Sequence, residues 1–239
     1  MIDQKIEAYD RSSSYNLDNE ILLKSYAEMV VEKINHPTKV AVLDLGLGYG
    51  YATERFLNYF VDYTILEGDK KIIDMFDSGH PNCTAQIINT YFETFETEKK
   101  YDVVIMGFVL EHVEDPVSIM SKYKGMLNEN GKIYAAVPNS HSLNRRVGYY
   151  AGILDDMKRM SDYDIGLGHK RYYDIDSFKS DCLAAGLKIN KVEGIYLKAI
   201  TTAQIKTLNF SDNILEAFCK VGRDYPELCV GMLADLEVE

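Results

Sequence analysis

Positive charge is in short supply in this chain. Across 239 residues, 26 Lys and Arg stand against 37 Asp and Glu, a formal charge of −11. A surface that acidic repels phosphate backbones, so nucleic acid is not the expected partner, although a local pocket can still carry the opposite sign. Cysteine is scarce as well. The four present, Cys83, Cys182, Cys219 and Cys229, make no CxxC pair and no metal spacing with any His, and read as reduced thiols of a cytoplasmic protein. Long apolar runs are missing. The longest, VVIMGFVL from Val103 to Leu110, contains one Gly and is far too short to span a bilayer, so no membrane association is expected. The opening MIDQKIEAYD has neither a basic n-region nor an apolar h-region, and no signal peptide is expected. There is no internal repeat and no low-complexity segment.

What remains is an ordinary globular composition, 46% hydrophobic and 26% charged, long enough for one large domain over residues 1–239. The first 36 residues read as two helical pieces; the second, Asp18 to about Ile34, carries Ile21, Leu22, Met29 and Val30 near helical spacing. His36-Pro37 ends it. Residues 37–138 then alternate apolar runs with helical patterns. VAVLDLG, DYTILEG, AQIIN, YDVVIM and GKIYAAV read as strands, with helices at Tyr51 to Phe60, Lys70 to Phe76 and Pro116 to about Leu127, and a turn at NENG. Such alternation argues for a parallel sheet covered by helices on both faces. The period breaks at residues 139–173, which are rich in Tyr, Arg and Asp and read as an inserted helical lid. Residues 174–239 return to the core with a helix from Asp174 to Ala185, a strand in LKINKVEGIYLK, a helix from Asn213 to Val221 and a last strand in ELCVGMLADLEVE.

The sharpest local signal is VLDLGLGYGYAT. An apolar strand carries Asp44 near its end, Gly46, Gly48 and Gly50 alternate, and a helix begins. Glycines suit a turn with unusual φ/ψ where a ligand must approach bare backbone. Glu67 closes the next strand, where a carboxylate is placed to accept the ribose hydroxyls of an adenosine-type cofactor. Dinucleotide enzymes need G-x-G-x-x-G to seat a pyrophosphate on a helix N-terminus, and the corresponding position here is Tyr51. The pattern D-x-G-x-G-x-G instead resembles the first motif of class I S-adenosylmethionine-dependent methyltransferases.

The resemblance runs along residues 38–140. Glu67 matches the family's ribose-binding acid, and NTYFETF (Asn89 to Phe95) matches its adenine loop, with Asn89-Thr90 where many members carry Asp. It implies a Rossmann-like, mostly parallel seven-stranded sheet with helices on both faces, and S-adenosylmethionine as cofactor, leaving S-adenosylhomocysteine. The implied cofactor-binding set is Asp44, Gly46, Gly48, Gly50, Glu67, Tyr91, Phe92 and Phe108.

Further absences narrow the chemistry. No D/N-P-P-Y/F motif follows the fourth strand, where MGFV stands, and no Cys follows a Pro, so neither base-amino methylation nor a cysteine nucleophile is expected. Met106 and Gly107 occupy the position of the acid that holds the ion in catechol-type enzymes, so transfer is expected to need no metal. Direct displacement on a sulfonium methyl is largely a matter of position, and a hydroxyl acceptor also needs a base. His169, in GLGHKRYYD, and His112, in LEHVEDP, are the candidates, with His141 a weaker third; His36 and His80 precede Pro and read as turn residues. The Gly-His-Lys-Arg-aromatic segment looks like one shared by bacterial methyltransferases of sugars and surface-glycan precursors. Tyr149, Arg145, Arg171 and Tyr172 are candidate substrate residues, able either to hold a sugar ring and phosphate or simply to pack the lid. The expected partner is a small-molecule acceptor, a sugar nucleotide or related hydroxyl compound or else a small amine. A non-catalytic cofactor-binding subunit is the reading from another class, and a homodimer is compatible with the sequence.

Overall fold

The computed structural model describes residues 16–239; the first N-terminal helical piece expected ahead of Asp18 lies outside the described residues. Five apolar runs form parallel strands: β1 (Ala41–Leu45), β2 (Asp62–Glu67), β3 (Gln86–Asn89), β4 (Tyr101–Gly107) and β5 (Leu127–Pro138). β6 (Leu187–Leu197) and β7 (Cys229–Val238) complete one seven-stranded sheet ordered β3-β2-β1-β4-β5-β7-β6. β7 runs antiparallel to both β5 and β6, so the sheet is mixed. The parallel arrangement read from the alternation holds through β5. Beyond it, β7 slots between β5 and β6 in the opposite sense, which needs no right-handed crossover.

Alternation along the central strands divides the core in two. Leu43, Leu45, Val104 and Met106 face one side and pack with Ile119, Met120 and Tyr123 of α4 (Pro116–Lys124) and Phe178 and Cys182 of α7 (Ile175–Ala184). Val42, Val103 and Ile105 face the other, against α1 (Asn16–Glu32), α2 (Tyr51–Phe56) and α3 (Lys70–Gly79). Strands buried on both faces read as continuous apolar runs, which is why they stood out in the sequence.

Local chemistry sets the helix starts. Asp115 caps α4 by accepting from the Ser118 N–H at 3.0 Å, with Pro116 at the first position where no donor is needed. The 139–173 insertion contributes α5 (Leu143–Tyr150) and α6 (Asp162–Leu167), the latter opened by a capping box between Ser161 and Asp164. Ahead of α9 (Asp212–Gly222) lies a helix absent from the sequence reading, α8 (Thr202–Leu208), opened by a Thr201–Gln204 capping box. The expected NENG turn lies inside β5 as a bulge. Pairing jumps from Tyr101↔Leu127 to Val103↔Lys132, and Asn130 takes a positive φ of 63°.

From β1 the chain steps outward to β2 and β3 on one side, then crosses back to β4 on the other side of β1. That divergence opens a crevice at the carboxyl ends of the strands, the place where open α/β sheets bind ligands.

Candidate functional site

One cavity of about 960 Å³ occupies that crevice, floored by the ends of β1, β2 and β4 and roofed partly by the 139–173 insertion. Gly46, Gly48 and Gly50 all line it, with φ of 89°, 50° and 78°. Each value lies in the left-handed region, where a Cβ is strained, so the turn follows from the glycines.

Glu67 closes the other side of the turn. Its carboxylate accepts the Leu47 N–H at 3.0 Å on one oxygen and the Asp69 N–H at 2.9 Å on the other. Burial pushes this carboxyl above its usual range, and those two N–H groups offset part of the rise. Each oxygen retains a lone pair, which fits a ribose diol. Asn89, standing where many relatives have Asp, donates its side-chain N–H to the carbonyls of Glu67 at 2.8 Å and Gly68 at 3.1 Å. It braces the end of β2. Tyr91 is 68% exposed at the rim, with its ring 2.9 Å from where a Gly68 Cβ would lie, and Phe92 sits behind Gly46. Both line the cavity. A glycine cradle, a fixed carboxylate and two aromatic rings fit an adenosyl sulfonium cofactor.

Asp44 lines the cavity but is 96% buried, accepting the Tyr63 hydroxyl at 2.5 Å. Desolvation raises it to about 7, against the lowering effect of the Tyr63 hydrogen bond. At the end of β4, Gly107 is required by packing: a Cβ there would stand 2.3 Å from the Tyr26 hydroxyl oxygen. Phe108 follows with φ 58° and meets the Tyr26 ring edge-on at 5.7 Å.

His112 and His169, far apart in sequence, meet with ring centroids 4.7 Å apart, nearly perpendicular, and both line the cavity. The backbone staples their segments together, since the Lys170 N–H donates to the Glu111 carbonyl at 2.8 Å. His169 Nδ1 lies 3.8 Å from an Asp164 oxygen and makes no hydrogen bond. Burial holds this imidazole below its ordinary pKa, with Asp164 acting in the other direction. Glu111, which sequence reasoning passed over, is fully buried beside them with one oxygen unpaired, its carboxyl raised to about 8 by desolvation. Its only signal was its place beside His112 at the carboxyl edge of the sheet.

The candidate substrate residues divide. Tyr172 and Arg145 line the cavity, the guanidinium stacked 4.9 Å over the Tyr172 ring. Arg145 also donates to the carbonyls of Ser140, Met157 and Arg159, fixing the insertion. Arg171 donates to the carbonyls of Leu110, Val113 and Glu114 and is not among the cavity-lining residues. Tyr149, 40% exposed, also lies outside the lining and packs edge-on against Tyr150. His141 belongs to a separate small recess with Arg146 and Asp174. His36 adopts a left-handed turn before Pro37, and His80 stacks on Phe76 and pairs with Glu54. Sequence reasoning also missed a latch: Tyr163 in α6 accepts from the Asn19 amide at 3.0 Å and shares a hydrogen bond with the Tyr49 hydroxyl of the glycine turn.

Comparison with known proteins agrees with this geometry. A family model described as a methyltransferase domain matches residues 19–192. A ubiquinone biosynthesis O-methyltransferase of Rickettsia felis is 23% identical over 162 residues, 67% of this chain and 63% of the relative. Among solved structures, an S-adenosylmethionine-dependent methyltransferase of Clostridium acetobutylicum superposes with TM-score 0.61 at 10% identity, covering 94% of this chain and 95% of that one. One from Mesorhizobium loti gives 0.58 at 13%, covering 89% and 97%. A plantazolicin methyltransferase solved with S-adenosylhomocysteine gives 0.58 at 18%, covering 98% and 89%. These likenesses show the fold. The chain belongs to the methyltransferase-domain family, with a Rossmann-like α/β fold of the S-adenosylmethionine-dependent kind.

Proposed function

We propose that this methyltransferase methylates a hydroxyl of a small polar acceptor, of the sugar-nucleotide or glycan-precursor type, with His169 removing the proton. The observation that carries the reading is an imidazole, its Nδ1 without a hydrogen bond, lining the same cavity as the glycine turn and Glu67. The cofactor supplies an electrophilic methyl on a sulfonium; the protein's part is to aim an oxygen lone pair along the breaking bond and take up its proton. Glu67 and the turn hold the donor. Tyr172 and the stacked Arg145 offer an aromatic and cationic wall to the acceptor. His112 braces His169 ring to ring. The O-methyltransferase name of the Rickettsia relative accords with a hydroxyl acceptor, while the extended match covers only 63% of that relative.

Transfer needs no metal ion, as the Met106–Gly107 end of β4 carries no acid. The protein works in the cytoplasm on a small molecule, not on nucleic acid or at a membrane. No described helix is long and apolar enough to cross a membrane, and the four cysteines are unpaired. The test is His169→Ala with a panel of sugar-nucleotide and amino-sugar acceptors. Turnover should fall about a hundredfold or more while S-adenosylhomocysteine affinity, by calorimetry, stays within twofold. Near wild-type turnover would overturn the base assignment and favour an amine acceptor, which enters already deprotonated.

A further inference from the structure

We infer that Glu111, His112 and His169 form a binding site for a transition-metal ion of the zinc class, and that the ion, when bound, switches off the base. Each residue offers one donor atom, and the three donor atoms lie within 4.8 Å of one another. Two of the three residues carry an independent sign of an absent partner: Glu111 Oε2 and His169 Nδ1 are both buried without a hydrogen bond. Buried polar atoms in folded proteins are nearly always satisfied, and two unsatisfied atoms within one such three-residue cluster call for a ligand there. A shared cation satisfies both atoms at once.

The donor set selects the ion. Two imidazoles and one carboxylate are the ligands of open zinc sites, whereas magnesium and calcium want oxygen alone. Tetrahedral bonding at about 2.0–2.1 Å requires the side chains to close in slightly. Their backbones need not move, because the two segments are already stapled. The Lys170 N–H binds the Glu111 carbonyl at 2.8 Å, and Arg171 clamps the carbonyls of Leu110 and Val113 at 2.7 and 2.6 Å. All three residues line the cavity, so the ion has an entry path.

Inhibition follows from chemistry. A metallated imidazole cannot accept a proton from the acceptor, so occupancy and base catalysis at His169 exclude each other. This second half rests on the proposed role of His169; the ion site itself does not. The whole purified chain, stripped with a chelator, is titrated with Zn²⁺ by calorimetry and with Co²⁺ by visible absorption. We expect one ion per chain, tetrahedral-type cobalt bands, no response to Mg²⁺, and at least tenfold weaker binding in Glu111→Gln and His169→Ala. Circular dichroism and S-adenosylhomocysteine binding check that both variants fold. Stripped enzyme should turn over at full rate and slow on adding Zn²⁺. Absence of zinc binding, or equal binding by wild type and both variants, overturns the site while leaving the base assignment standing. Stripped enzyme that is inactive until Zn²⁺ is added overturns the switch and the metal-free reading together.

Discussion

Asp44 makes a measurable demand on stability. Its carboxyl is 96% buried at the end of β1, and desolvation raises it from an ordinary 3.8 to about 7. A carboxyl raised on folding binds its proton more tightly in the native than in the unfolded chain. Between pH 4 and pH 7, roughly, the native state therefore holds the extra proton, and stability falls as pH rises. At about 1.4 kcal/mol per pH unit across that interval, the loss totals about 4 kcal/mol; it has not begun below pH 4 and is complete above pH 7. Asp44→Asn removes the titration. Its amide still accepts the Tyr63 hydroxyl, and any cost of its new N–H is the same at every pH. Urea unfolding of both cofactor-free proteins at pH 5, 6, 7 and 8 isolates the effect, because Glu67 and Glu111 titrate in both. The wild type should lose stability relative to the variant by several kcal/mol across the series. Parallel pH profiles would show that Asp44 ionises at an ordinary pH and that its burial is not what it is taken to be.

Other substitutions probe the rest of the frame. Glu67→Ala removes the ribose acceptor and frees the Leu47 and Asp69 N–H groups. At about 1.5–3 kcal/mol per charged hydrogen bond, calorimetry should show S-adenosylhomocysteine affinity lower by at least tenfold, with a stable fold in circular dichroism. Gly107→Ala drives a methyl to within 2.3 Å of the Tyr26 hydroxyl oxygen and 2.6 Å of its ring carbon. Overpacking of this kind costs about 1–3 kcal/mol or more, read as a lower urea midpoint. Tyr163→Phe deletes the latch to Asn19 and Tyr49. The global midpoint should hold, while proteolysis of residues 151–160 accelerates.

The sheet was legible because burial on both faces writes itself into a strand as an unbroken apolar run; VAVLDLG and YDVVIM needed no partner to be recognised. The glycine turn was legible for a related reason, since three alternating left-handed residues have few sequence solutions. What escaped was decided by partners distant in the chain. Helix α8 carried its own signal, the Thr201–Gln204 box, but its mixed composition hid it. Glu111 looks like any surface acid beside a histidine until the fold buries it against a loop 58 residues further on.

Arg171 makes the same point from the opposite side. Beside Tyr172 and His169 it reads as a phosphate ligand, because a guanidinium fits that role. Yet the loop after β4 leaves β-structure at Gly107, and its carbonyls at Leu110, Val113 and Glu114 have no strand to pair with. Backbone acceptors without a strand partner still take donors, and Arg171 meets all three. By fixing that loop it fixes Glu111 and His112. Arg171 thus holds in place the groups that face the cavity.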